Sequence, residues 1–241
     1  MTTDMKLRTH RKSAIAVGVL YIAATVAGIL SVGPINTLLE EPDLLTRLAT
    51  HESKMLMAVA LEFIMAVTVA GVAFMIYPIL KRDADTKVKE GLVSWYLGSR
   101  ITEGAVFLIA ILARLSLLTL SQEFVKIGSP PDSAFQVGGT VLIAASNYGY
   151  MLGQSVFCIG AAMLYYLLFQ SQRIPRWLSI WGFISAPLML AAGFLVLVDG
   201  DPNSPLSTAL YASMALQEMV MAVWLIVKGF KPSAFGLNSL E

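Results

Sequence analysis

Six stretches of the chain, residues 13–32, 55–80, 92–120, 137–169, 177–198 and 206–227, are almost continuously apolar. Each reaches the ~20 residues that a helix needs to cross a hydrocarbon core of ~30 Å. Inside a bilayer every backbone N–H and C=O must be satisfied within the protein, so spanning segments are helices or closed barrels. The segments do not alternate with period two, which excludes barrel strands. The expected fold is therefore all-α, an integral membrane bundle of six transmembrane helices forming one domain over residues 1–241. The composition agrees, since 56% of residues are hydrophobic and only 14% charged, against about a quarter charged in soluble domains. The third and fourth segments exceed a perpendicular crossing and are expected to tilt or to extend into the interface. The first is too long for a secretory h-region and lacks an Ala-x-Ala cleavage signal, so it reads as a retained helix.

The loops give an orientation. Lys6, Arg8, Arg11, Lys12, Lys81, Arg82, Lys87, Lys89, Arg173, Arg176, Lys228 and Lys231 fall on one side, and Arg47, Lys54 and Lys126 on the other. By the positive-inside rule both termini are expected in the cytoplasm. Trp95, Trp177, Trp181 and Trp224 lie near the same ends, where amphipathic rings favour the headgroup level. The first outer loop, residues 33–54, holds Glu40-Glu41-Pro42-Asp43 and a candidate interfacial helix at 44–50. The second carries the breaker Gly128-Ser129-Pro130-Pro131-Asp132.

Five charges lie inside these apolar stretches: Glu62, Arg100, Glu103, Arg114 and Glu218. A charge at the bilayer centre costs at least ~2.5–3.5 kcal/mol, so such groups pair, face the protein interior and are candidates for function. At about 100° per residue, Glu103 lies ~60° and Arg114 ~40° to the same side of Arg100, so the three share a helix face. At 1.5 Å per residue, Glu218 falls near the midplane and Glu103 within about a turn of it. Glu62 and Arg114 lie roughly 7–12 Å toward the outer side. Depth thus pairs Arg100 with Glu103 and Glu218, and Arg114 with Glu62. Three glutamates face two arginines, and arginine does not give up its proton. One glutamate is then expected to hold a proton near neutral pH, Glu218 being the first candidate. The plainer reading has equal weight: buried ion pairs often do no more than fix helix register.

Asn147, Tyr148, Tyr150 and Gln154 on the fourth segment are expected to line a polar cavity beside these charges. Gly149, Gly153 and Gly160 form a small-residue stripe that permits close helix approach, within the chain or between copies in an oligomer. Other chemistry is poorly represented. His10 and His51 lie on opposite sides of the membrane and cannot share a haem or a metal. No histidine within the membrane is available to activate a serine, and no aspartate pair exists there. Cys158 has no partner for a disulfide. HExxH, P-loop and paired-cysteine motifs are missing. No cofactor or metal is expected, and a net charge of +1 gives no reason to expect nucleic acid.

Several segments resemble one family. They are Tyr148-Gly149-Tyr150-Met151-Leu152-Gly153, Tyr165-Tyr166-Leu167-Leu168-Phe169 and Ser171-Gln172-Arg173-Ile174-Pro175-Arg176-Trp177-Leu178-Ser179. With Gly18-Val19-Leu20-Tyr21, Gly28, Arg100-Ile101-Thr102-Glu103 and Glu218 followed by Trp224-Leu225-Ile226-Val227-Lys228-Gly229-Phe230, they are similar to domain of unknown function 4386. The resemblance implies a multi-pass protein of the bacterial inner membrane and carries no activity. Three roles follow from the residues: binding or transport of a small solute coupled to protonation of the Glu/Arg cluster, a structural or regulatory subunit whose ion pairs fix packing, or an intramembrane enzyme using Glu and Arg.

Overall fold

The computed structural model describes residues 3–39, 43–130, 134–199 and 204–231, with side chains except those of 3–10 and 197–199. Glu40, Glu41, Pro42, Pro131, Asp132 and the side chains of Lys6, Arg8 and His10 lie outside the described residues. Seven helices follow one another: α1 (Thr3–Leu39), α2 (Leu44–Thr50), α3 (Glu52–Asp83), α4 (Lys87–Lys126), α5 (Ala134–Ser171), α6 (Arg176–Asp199) and α7 (Pro205–Val227). Among the described residues there is no strand. All of them except α2 are long and apolar enough to cross a membrane, and α2 coincides with the short helix expected at 44–50. The 40 residues of α4 and 38 of α5 exceed the length of a perpendicular crossing.

Helix ends follow local chemistry. Ser204 caps α7, its Oγ accepting from the Ser207 backbone N–H at 3.2 Å, and Pro205 opens the helix where no N–H is needed. After α4 the chain turns through positive φ at Gly128 (89°) and Ser129 (52°), in the breaker read from the sequence. Gln172 (φ 55°) turns the chain between α5 and α6, and Gly229 (φ 74°) ends α7.

The outer faces of these helices are apolar and the charges point inward. On α4, Ile109 and Leu112 are 63% and 61% exposed, whereas Arg100, Glu103 and Arg114 are buried. That inversion of the soluble pattern is what a lipid environment demands.

The chain divides into two compact units, each with its own apolar core. The first comprises Met1–Ile22, Thr68–Glu103 and Gln154–Glu241. Its core holds Val17, Tyr21, Ile76, Tyr96, Leu164, Tyr165, Leu178 and Met221. Polar bonds fasten α6 to α7 there: Trp181 Nε1 donates to Ser213 Oγ at 3.3 Å, and Ser185 and Ser213 share a 2.8 Å bond. The second comprises Ala23–Val67 and Gly104–Gly153, with a core of Leu38, Leu45, Leu48, Met55, Leu117, Leu118 and Phe124.

Candidate functional site

In the first unit, Tyr96, Arg100 and Glu103 follow one another at i, i+4 and i+7 along α4, which places them on one face. Arg100 is 3% and Glu103 2% exposed, and Arg100 Nη1 lies 2.9 Å from Glu103 Oε2. The contact is between charges and off the hydrogen-bonding direction, for Glu103 Oε2 and Arg100 Nε both lack a hydrogen-bond partner. The ring of Phe157 on α5 lies 4.9 Å from the guanidinium carbon of Arg100, a favourable cation–π arrangement away from water.

Helix α7 adds two neighbouring polar residues with different fates. Gln217 is fully buried and tied at both ends of its amide. It accepts a 2.6 Å bond from the Tyr165 hydroxyl and donates at 3.1 Å to the Leu178 carbonyl. Glu218 is half-buried, and among the described residues no hydrogen bond reaches its carboxylate. It lies within electrostatic range of Arg100, Glu103, Tyr21, Tyr96 and Tyr165. The Tyr96 hydroxyl is buried without a partner. One arginine therefore serves two carboxylates in a setting walled by three tyrosines and a phenylalanine.

In the second unit, Arg114 Nη1 donates to Glu62 Oε1, the pairing that depth alone suggests. Both residues are buried, and the Tyr150 ring lies 4.3 Å from the Arg114 guanidinium carbon while stacking on Phe107 at 5.4 Å between ring centres.

Other expectations are corrected by placement. Asn147 and Tyr148 are exposed, Tyr148 at 56%, and do not line an interior cavity. A residue at either position stands about 100° or more around α5 from the buried Ser146 and Gly149. Gln154 does turn inward, but to fasten helices: its Nε2 donates to the Met189 carbonyl at 3.3 Å. The glycine stripe packs helices within the chain. A Cβ on Gly149 would meet Ala110, one on Gly153 the ring of Phe107, and one on Gly160 the side chain of Ser99. These close approaches are what the missing side chains permit.

Sequence reasoning missed Tyr96 and Gln217, which read as an ordinary aromatic and a mid-helix amide, and placed Tyr21 and Tyr165 only in segments that carry the family resemblance, not beside the charges. It also missed a buried clamp in the first unit. Arg173 Nε and Nη2 each donate to Asp83 at 2.6 Å, a bidentate pair. Arg173 Nη1 further donates to the Lys231 carbonyl at 3.0 Å, and the Lys231 N–H returns a 2.8 Å bond to the Arg173 carbonyl. The ends of α3, α5 and α7 are thereby joined. Arg173 counted as a loop charge and as part of a segment that carries the family resemblance, and neither marks which loop charge is buried. In the first turn of α4, the Lys89 ammonium donates at 2.7 Å to Asp85 in the connection from α3 and holds its carboxyl below the usual carboxylate range.

Six apolar helices with inward-facing charges define a multi-pass α-helical membrane protein. The chain belongs to the family described as domain of unknown function (DUF4386), whose model matches residues 16–229. That span includes every residue of both charge clusters. Comparison with curated proteins and with solved structures gives no match.

Proposed function

We propose that the protein binds a small solute within the membrane, or carries it across, and that protonation of the Arg100–Glu103–Glu218 cluster is coupled to that step. The observation that carries this reading is the inequality in the first unit. Arg100 is engaged at 2.9 Å by Glu103, and Glu218 has no hydrogen bond among the described residues. A carboxylate removed from water without a full partner favours its neutral form. Glu218 is then the group that takes and releases the proton, and Glu103 the counter-charge that holds Arg100. The aromatic wall of Tyr21, Tyr96, Tyr165 and Phe157 restricts water and offers hydroxyls to a ligand. The bias of basic residues supports an inner-membrane orientation with both termini in the cytoplasm, and the family resemblance supports a bacterial source.

The test is a proton count. Purified protein in weakly buffered detergent, moved from pH 8.5 to pH 5.5, takes up about one proton more than the Glu218→Gln variant. Equal uptake by the two contradicts the reading.

A structural role has its own support, in the one-to-one Glu62–Arg114 pair and the Asp83–Arg173 clamp. Both join helices directly, as buried ion pairs that fix helix register do.

A further inference from the structure

The second unit brings together four side chains whose polar atoms are buried and incompletely used. Glu62 on α3 is 2% exposed and Arg114 on α4 7%. Their contact occupies Glu62 Oε1 and Arg114 Nη1, leaving Glu62 Oε2 and Arg114 Nε without hydrogen-bond partners. The Tyr150 hydroxyl is also buried and unpartnered, its ring lying against the Arg114 guanidinium. Ser146 sits one turn from Tyr150 on the same face of α5, is 2% exposed, and has an unpartnered Oγ. Helix register brings it to the same level. The Gly149 backbone lies against Ala110, and Gly153 against Phe107, so α4 and α5 run antiparallel and residue 114 falls opposite 145–146.

We propose that Glu62, Arg114, Ser146 and Tyr150 form a binding site for the hydroxyl group of a small neutral molecule, either water or a short polyol. The chemistry of the donor set selects this class. Glu62 and Arg114 cancel, so a cation meets the guanidinium and an anion meets the carboxylate, and neither gains a net partner. An apolar guest leaves four polar groups unsatisfied. A hydroxyl donates to Glu62 Oε2 and accepts from the Arg114 Nε–H, while the Tyr150 and Ser146 hydroxyls supply either role. Buried water typically makes about three such bonds, and this site offers up to four. The proposal does not rest on the role proposed for the Arg100 cluster.

The test uses the full-length protein in micelles with 15N-labelled arginine. The Arg114 Nε–H resonance is identified by its loss in Arg114→Lys, and glycerol serves as the polyol probe. The expected result is a magnetisation-transfer peak from Arg114 Nε–H to water, weakened at least about threefold in both Ser146→Ala and Tyr150→Phe. These variants keep the ion pair and most of the packing. If water is the occupant, glycerol leaves the resonance unmoved. If a polyol is preferred, glycerol shifts it saturably and suppresses the water peak, and the shift is lost in the two variants. Absence of both the water peak and a glycerol response overturns the site and leaves a dry clamp. So does a water peak unchanged in both variants.

Discussion

The two charge clusters use the same parts in different proportion. In the first unit one arginine, Arg100, stands beside two carboxylates, with Phe157 against its guanidinium. In the second unit, among the described residues, Arg114 has Glu62 as its one carboxylate partner, with Tyr150 in the place of Phe157. Cation, carboxylate and ring recur, and the difference is one additional glutamate. A balanced pair has no reason to change its protonation, because both charges are stabilised by each other. An unbalanced trio in a low-dielectric interior must find a proton or another cation for the surplus carboxylate. On the function proposed above, charge arithmetic separates a cluster that exchanges a proton from one that does not; Arg100, Arg114, Glu62 and Glu103 are all less than a tenth exposed, and the additional Glu218 is half-buried.

The largest expected effect comes from removing the cations. Arg100→Ala strands two carboxylates and should destabilise the protein by about 3–5 kcal/mol, the range found for broken buried pairs. Arg114→Ala strands one and should fall at the lower end, about 3 kcal/mol. Thermal melting in detergent measures both. Equal losses erase the distinction between the clusters.

The next effect separates the glutamates. Glutamine resembles a protonated carboxyl in shape and hydrogen bonding. Glu62→Gln removes a charge that Arg114 requires and should cost about as much as Arg114→Ala. Glu218→Gln should leave the melting temperature at pH 7 nearly unchanged. A large loss for Glu218→Gln, matching that of Glu62→Gln, makes the two clusters alike and breaks the comparison.

Orientation is checked independently of either cluster. Lys87→Cys in a Cys158→Ala background should resist an impermeant thiol reagent applied outside intact cells and react after the membrane is opened. Ser129→Cys should react from outside. The reverse pattern contradicts the twelve-to-three bias of basic residues.

The smallest loss from breaking an ion pair is expected at Asp85, outside both clusters. Lys89 holds the pKa of its carboxyl in the folded state below the usual range. The sign follows: the pair contributes above the ordinary aspartate value of about 4 and loses its contribution as pH falls through the depressed one. Both side chains reach solvent, so Asp85→Asn should give the smallest melting shift among the variants that break an ion pair at pH 7, vanishing in acid. A shift as large as that of Arg114→Ala contradicts this.

Much of the fold was legible because a bilayer leaves few choices: length and apolarity set the six spanning helices, and α2 followed from a short apolar run after a loop. The Arg100–Glu103 and Arg114–Glu62 partnerships were legible from spacing and depth because both rest on the fixed rise of a helix. What escaped needed the rotation of each helix about its own axis. Asn147 and Tyr148 lie within two residues of the buried Ser146 and Gly149, and only packing decides that they face outward. Gln217 and Glu218 are adjacent, yet one is bonded to Tyr165 and Leu178 and the other is left to the charge cluster. The Asp83–Arg173 clamp joins residues 90 apart, a pairing no local pattern encodes.

Infrared spectroscopy of the carboxyl region at pH 7 tests the central claim, that the surplus carboxylate carries a proton, most directly. The wild type should show a protonated carboxyl band that disappears in Glu218→Gln and persists in Glu62→Gln. A wild-type spectrum without that band, together with strong destabilisation of both Glu103→Gln and Glu218→Gln, would mean that all the buried glutamates are ionised and would contradict the account.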